Sequence, residues 1–169
     1  MDRKRHENPL MTVLLFAVMI LGFAVTAIDP YGLLASHGGK INTAVLINAN
    51  PALFVIGLCM VIAGLMIRTV AIIELKRNFS GLVRIREGHT LTKTGIYRYV
   101  RHPAYLGAII VFAGFPVLLS SPLGLLVMLL LVPILVHRGK VEEKMLLEHF
   151  GSEYEEYMRH SKRLIPFLY

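Results

Sequence analysis

The stretch Gly95–Leu119 reads GIYRYVRHPAYLGAIIVFAGFPVLL and changes character at one point. Up to Gly107 it holds Tyr97, Arg98, Tyr99, Arg101, His102 and Tyr105. From Ala108 onward every side chain is apolar or absent. A chain entering a bilayer has this form: basic residues and tyrosines at the interface, then hydrocarbon-compatible residues. Pro103 suits the first turn of the helix that follows, because its missing N–H is not needed there.

The rest of the chain agrees. Of 169 residues, 55% are hydrophobic, and the mean hydropathy is +0.61. Soluble domains of this size are rarely so apolar. The apolar residues form four runs: Leu10–Ile28, Pro51 to about Leu75, Pro103–Leu119 and Pro122–His137. A spanning helix needs about 20 apolar residues. The first two runs meet this. The last two are short and joined by Ser120-Ser121-Pro122, which predicts a tight helical hairpin. Asn50 is the expected N-cap of the second helix, with Pro51 at its first position. Pro133 is expected to kink the fourth. The first run is longer than a signal-peptide core and lacks a clean cleavage site, so it reads as a retained helix.

The net charge is +7. The basic residues flank the apolar runs, so membrane orientation explains them and no nucleic-acid partner is expected. The leader, the segment 76–103 and the tail are basic, whereas the first loop carries only Lys40. Both termini are therefore expected on the cytoplasmic side. Arg68 lies inside the second run, where its stem can snorkel to the surface. Cys59 is the only cysteine, so no intramolecular disulfide is possible.

The polar residues form two pieces at one membrane face, the segment before helix three and the tail. The tail reads as a helix with Val141, Met145 and Phe150 on one side, ended by Gly151. Ser152 and Glu155 suggest a capping box for a second short helix with Tyr154, Tyr157 and Met158 as its apolar side. Arg138 and Glu142 are four apart and share a helix face. A surface ion pair is the plainer reading of that spacing. Orientation and anchoring account for Arg98, Tyr99 and Arg101, but leave the block around Gly95-Ile96-Tyr97 and His102-Pro103 without a purpose. His102 stands at a helix N-terminus, which disfavours its protonation and leaves an imidazole able to bond a ligand. No metal-ligand spacing, phosphate-binding glycine loop or Ser/His/Asp arrangement is present.

In order along the chain stand Gly88-His89-Thr90-Leu91, Gly95-Ile96-Tyr97, Arg101-His102-Pro103-Ala104-Tyr105-Leu106-Gly107, Arg138 with Glu142-Glu143, Phe150-Gly151-Ser152-Glu153-Tyr154 and Leu164-Ile165-Pro166. This ordered set resembles the isoprenylcysteine carboxyl methyltransferases and the related phospholipid methyltransferases. The resemblance covers roughly Asn78 to Pro166. It implies an all-α, polytopic membrane methyltransferase with about four membrane helices. The two N-terminal helices (1–75) would lead into a catalytic region (76–169) within one domain. The cofactor would be S-adenosyl-L-methionine, in a cytoplasmic-face pocket formed by the loop before helix three and the C-terminal helical tail. By the same resemblance His89, Thr90, Leu91, Thr92, Tyr97, His102, Pro103, Ala104, Tyr105 and Glu142 would bind it, and Arg138 would hold the acceptor carboxylate. Thr90 stands where some relatives carry an acid, and Arg84 is a further candidate for the cofactor. The loop Tyr31–Asn50 lies outside the resemblance.

The implied acceptor is a lipophilic or lipidated molecule entering from among the membrane lipids. A carboxylate acceptor is ionised at neutral pH and needs no general base, so carboxyl O-methylation of a prenylcysteine-like group leads. An amine acceptor, as in phospholipid N-methylation, must lose a proton first, and His102 or Glu143 would have to take it. Membrane sterol reductases, which use NADPH, share part of the Arg-His-Pro block and the ending Arg163–Tyr169. A non-catalytic membrane scaffold is the third class.

Overall fold

The computed structural model describes residues 9–28, 50–75 and 90–164. Most of the loop 31–50, together with Arg84, His89 and the final Ile165-Pro166, lies outside the described residues. Six α-helices are present among them: α1 (Pro9–Ile28), α2 (Pro51–Leu75), α3 (Pro103–Leu118), α4 (Pro122–Leu129), α5 (Leu131–Phe150) and α6 (Ser152–His160), with a 3-10 turn at Gly95–Arg98. The described residues contain no named strand, only an isolated parallel bridge between Val100 and Lys162.

Helix ends follow the local chemistry. Asn50 Oδ1 accepts from Ala52 N at 3.0 Å, so α2 starts where the Asn-Pro pair requires. Ser121 Oγ accepts from Gly124 N at 3.1 Å and caps α4, closing the turn after α3. Such caps stabilise a helix by about 1 kcal/mol. Pro133 sits in the first turn of α5. It has no N–H to offer Leu129 O, and its ring crowds that carbonyl. The break accordingly falls at Leu130, ahead of the proline rather than on it. The fourth run therefore does not end at His137. It continues without interruption into the polar tail as α5, carrying Val141, Met145 and Phe150 along. Gly151 ends α5 at φ +55° and itself caps α6. The expected Ser152–Glu155 capping box does not form: Ser152 is already helical, and α6 has no side-chain cap.

The packing is inverted relative to a soluble bundle. Along α2 only Gly57, Gly64 and Ala71 are buried, while Phe54, Ile62, Met66 and Ile73 face outward. The seven-residue spacing puts the small residues on one stripe. That stripe meets Gly107 and Gly114 of α3, running antiparallel. A Cβ on Gly64 would lie 2.7 Å from Gly107 O, and one on Gly107 2.6 Å from Gly64 O. Small residues inside and large ones outside are what lipid favours, because hydrocarbon tails solvate leucine as well as protein does. α1, α2 and the α4–α5 pair are long and apolar enough to cross a membrane, and α3 is a shorter apolar helix. The protein is an integral membrane protein.

α1 closes the other side. Thr26 Oγ1 bonds its own Gly22 O at 2.7 Å, and Gly22 admits Met128 of α4. Phe23 meets Phe112 and Phe115 of α3 edge-on. Ala108, Met128, Leu131 and Leu135 form the core there. A second cluster, Ala71, Tyr97 and Ala104, seats the 3-10 turn on the polar ends of α2 and α3.

Candidate active site

Gly95 has φ +55°, and a Cβ there would collide with Glu74. Only glycine permits this turn. Glu74 Oε2 accepts from Ile96 N at 3.0 Å, tying the turn to the end of α2. Tyr97 then points inward and donates to Ala71 O at 3.2 Å. Its backbone carbonyl accepts from the Tyr157 hydroxyl of α6 at 2.7 Å. Burial first, then the Glu142 charge, raises the Tyr97 phenol well above its ordinary range, so it remains a proton donor. Burial likewise pushes Tyr157 up to about 12. Tyr97 thus fixes the turn with its hydroxyl and offers a ligand its ring or backbone.

Arg68 donates to Ala104 O at 3.0 Å. Snorkelling is therefore replaced by an inter-helix bond. The reason is packing: Gly107 leaves room for Arg68 beside the first turn of α3.

His102 occupies the N-cap position of α3 without capping it through its side chain. Its ring is buried and stacks on Tyr105 with centroids 5.3 Å apart. Gly139 of α5 lies against the ring. Two consecutive carboxylates bracket it: Glu142 Oε2 lies 3.6 Å from Nδ1 and Glu143 Oε1 3.4 Å from Nε2. Consecutive helix residues diverge by about 100°, so the two carboxylates approach the ring from different sides. The Tyr105 hydroxyl donates to Glu142 Oε2 at 2.9 Å and faces the Arg138 guanidinium. Arg138 is buried. The four-residue spacing of Arg138 and Glu142 thus brings both to one tyrosine hydroxyl.

The two glutamates differ sharply. The Glu142 side chain is 35% exposed and that of Glu143 6%. Glu143 Oε1 accepts from Arg101 Nε at 2.7 Å, and Oε2 from Arg163 Nε at 2.9 Å and Nη2 at 2.6 Å. Arg101 also caps the end of α6 through Ser161 O and, at 3.3 Å, Met158 O. Arg98 and Tyr99 are exposed, as orientation residues should be. Arg101, whose side chain is only 8% exposed, departs from that reading. Its signal in the sequence was its position beside His102, together with a second acid next to Glu142.

The structure therefore gathers His102, Pro103, Ala104, Tyr105, Arg138 and Glu142 at one end of the bundle, with Tyr97 one layer behind. Thr90, Leu91 and Thr92 lead to the turn without regular secondary structure. Lys93 anchors its end to Glu153 of α6 at 2.7 Å. His89 and Arg84 precede the described residues.

An inverted bundle of apolar helices, with a buried constellation of opposite charges where those helices meet their polar extensions, defines a membrane-embedded protein with one interfacial site. The model of the isoprenylcysteine carboxyl methyltransferase (ICMT) family matches residues 55–148, more than half the chain, and the protein belongs to that family. Protein-S-isoprenylcysteine O-methyltransferase of Saccharomyces cerevisiae is 38% identical over 117 residues, covering 68% of this chain and 49% of the yeast protein. Protein-S-isoprenylcysteine O-methyltransferase B of Arabidopsis thaliana is 36% identical over 115 residues, 66% of this chain and 58% of the plant one. The solved structure of a eukaryotic intramembrane Ras methyltransferase, ICMT, superposes with a TM-score of 0.72 at 28% identity. It covers 96% of this chain and 54% of that one. The chain thus spans about half to three-fifths of the length of these relatives.

Proposed function

We propose that the protein is an S-adenosyl-L-methionine-dependent methyltransferase that esterifies the carboxylate of a prenylcysteine-like, lipidated acceptor, with its site and both termini on the cytoplasmic side. The Tyr105 hydroxyl held between Glu142 and Arg138 carries this reading. It sets one accessible anion and one buried cation at the same point, where the apolar bundle ends.

The residues suit the cofactor. The exposed part of the Glu142 carboxylate meets the need to neutralise an ammonium group. The stacked His102 and Tyr105 rings, with Pro103 and Ala104, form a wall; the resemblance to the family adds Tyr97, Thr90, Leu91 and Thr92 to the cofactor's contacts, and assigns His89 to them by sequence alone. When bound, S-adenosyl-L-methionine supplies a methyl group already activated by its sulfonium. Arg138 grips the acceptor carboxylate through its planar fork. Tyr105 fixes the distance between that cation and Glu142. The buried ring stack and the apolar core behind it exclude water, so the work of the chain is alignment. The lipid portion of the acceptor enters between helices from the bilayer.

A carboxylate acceptor needs no base, whereas of the two bases an amine could use Glu143 has both oxygens committed to Arg101 and Arg163, which leaves only His102. The test is methyl transfer from labelled cofactor, in detergent, to a farnesylcysteine analogue and in parallel to a phosphatidylethanolamine. Base-labile label on the first alone is expected. Label only on the second would replace O- by N-methylation, and label on neither would remove the proposed activity.

A further inference from the structure

We infer that Glu143 is a positioning residue: through Arg101 and Arg163 it makes the C-terminal segment Ser161–Leu164 part of the wall that carries His102. The inference rests on the methyltransferase reading only for what that wall binds.

Three backbone bonds join the two segments. Arg101 N donates to Lys162 O at 2.8 Å, His102 N to Arg163 O at 3.0 Å and Lys162 N to Tyr99 O at 2.9 Å. So short a pairing is marginal by itself, as isolated strand pairs are. Here each segment contributes one arginine, and both arginines close on the same carboxylate of a third element, α5. Glu143 touches both. Its Oε1 also faces His102 Nε2. Leu164, directly after Arg163, is buried, and Ser161 Oγ locks back onto Tyr157 O at 2.6 Å. The backbone amide of His102 is thus held by Arg163, which Glu143 grips, and its ring lies between Glu142 and Glu143 of α5. A carboxamide in its place offers one neutral oxygen and an N–H to two guanidiniums. That leaves buried charge unpaired, the costly case for an ion network.

The experiment is amide hydrogen exchange on the full chain in detergent, for wild type, Glu143→Gln and Arg163→Gln, alongside titration with S-adenosylhomocysteine. In Glu143→Gln the amides of Arg101 and His102 should exchange roughly tenfold faster or more, while those of Ala108–Val111 inside α3 keep their protection. The affinity for S-adenosylhomocysteine should fall by at least about the same factor. Arg163→Gln removes one arm, lies at the more exposed end and should loosen His102 more than Arg101. It decides the matter if Glu143→Gln does not fold. Unchanged exchange at both amides in the folded variants overturns the clamp. Faster exchange with unchanged affinity overturns its role in the ligand wall. Faster exchange in a protein whose wild type binds no S-adenosylhomocysteine leaves the clamp standing and removes the methyltransferase reading instead.

Discussion

Arg138, Glu142 and Glu143 occupy one and a half turns of α5 and have three different surroundings. Arg138 is buried against Tyr105, Glu142 is partly open, and Glu143 is enclosed by two guanidiniums. A guanidinium held at the polar end of the bundle can take an acceptor carboxylate through two parallel N–H···O bonds. Lysine would keep the charge and lose the fork. Arg138→Lys is therefore expected to lower kcat/KM for the acceptor by about 10–100-fold, the worth of one charged hydrogen bond. Its affinity for S-adenosylhomocysteine should change little. Steady-state kinetics with a farnesylcysteine analogue measures the first and calorimetry the second. Equal losses in both would assign Arg138 to the cofactor instead.

The elements divide into a lipid-facing part held by close backbone approach and a polar part held by specific bonds. Gly64→Ala would place a methyl 2.7 Å from Gly107 O and 2.8 Å from Val111. Separating α2 from α3 should destabilise the protein by about 1–3 kcal/mol, seen as a lower thermal midpoint in detergent. The substitution should also loosen the Arg68–Ala104 bond at the base of the site. At the polar end Tyr157 holds its proton to about 12, against about 10 in an unfolded chain. Its contribution is fully present below pH 10 and is lost as the pH rises toward 12. Over that interval α6 should detach from the Tyr97 turn at a cost of about 2–3 kcal/mol. Tyr97 and Tyr154 are raised by burial as well, so Tyr157→Phe should reduce this alkaline loss without abolishing it, as followed by tyrosinate absorbance together with circular dichroism.

Much of this was legible because it is local. Asn50-Pro51, Ser121-Pro122 and Gly151 act within a turn of themselves, and apolar runs report lipid regardless of neighbours. The break at Leu130 was legible only as a kink. The residue that causes it lies one turn beyond the carbonyl it crowds. The Ser152–Glu155 box failed because Gly151, in the left-handed region, had already taken the cap. The resemblance to a family singled out the candidate site residues, but how they meet in space was not legible. Arg101 and Glu143 are 42 residues apart, and nothing in spacing brings Lys162 beside Val100. Such contacts depend on how α5 crosses α3, where Gly139 lies against the His102 ring.

For the whole molecule the central claim is that the bundle carries a cofactor pocket at its polar end, anchored on Glu142. The chain spans only part of its relatives' length, so the pocket has to be shown in this chain itself. The direct measurement is calorimetric titration of the detergent-purified protein with S-adenosylhomocysteine, with NADPH as the parallel ligand and Glu142→Ala as the variant. Losing a charged hydrogen bond to the ligand costs about 1.5–3 kcal/mol. The account predicts saturable binding of S-adenosylhomocysteine alone, weakened about 10–100-fold in the folded variant. Binding of NADPH in its place, or of neither ligand to well-folded wild type, would contradict it.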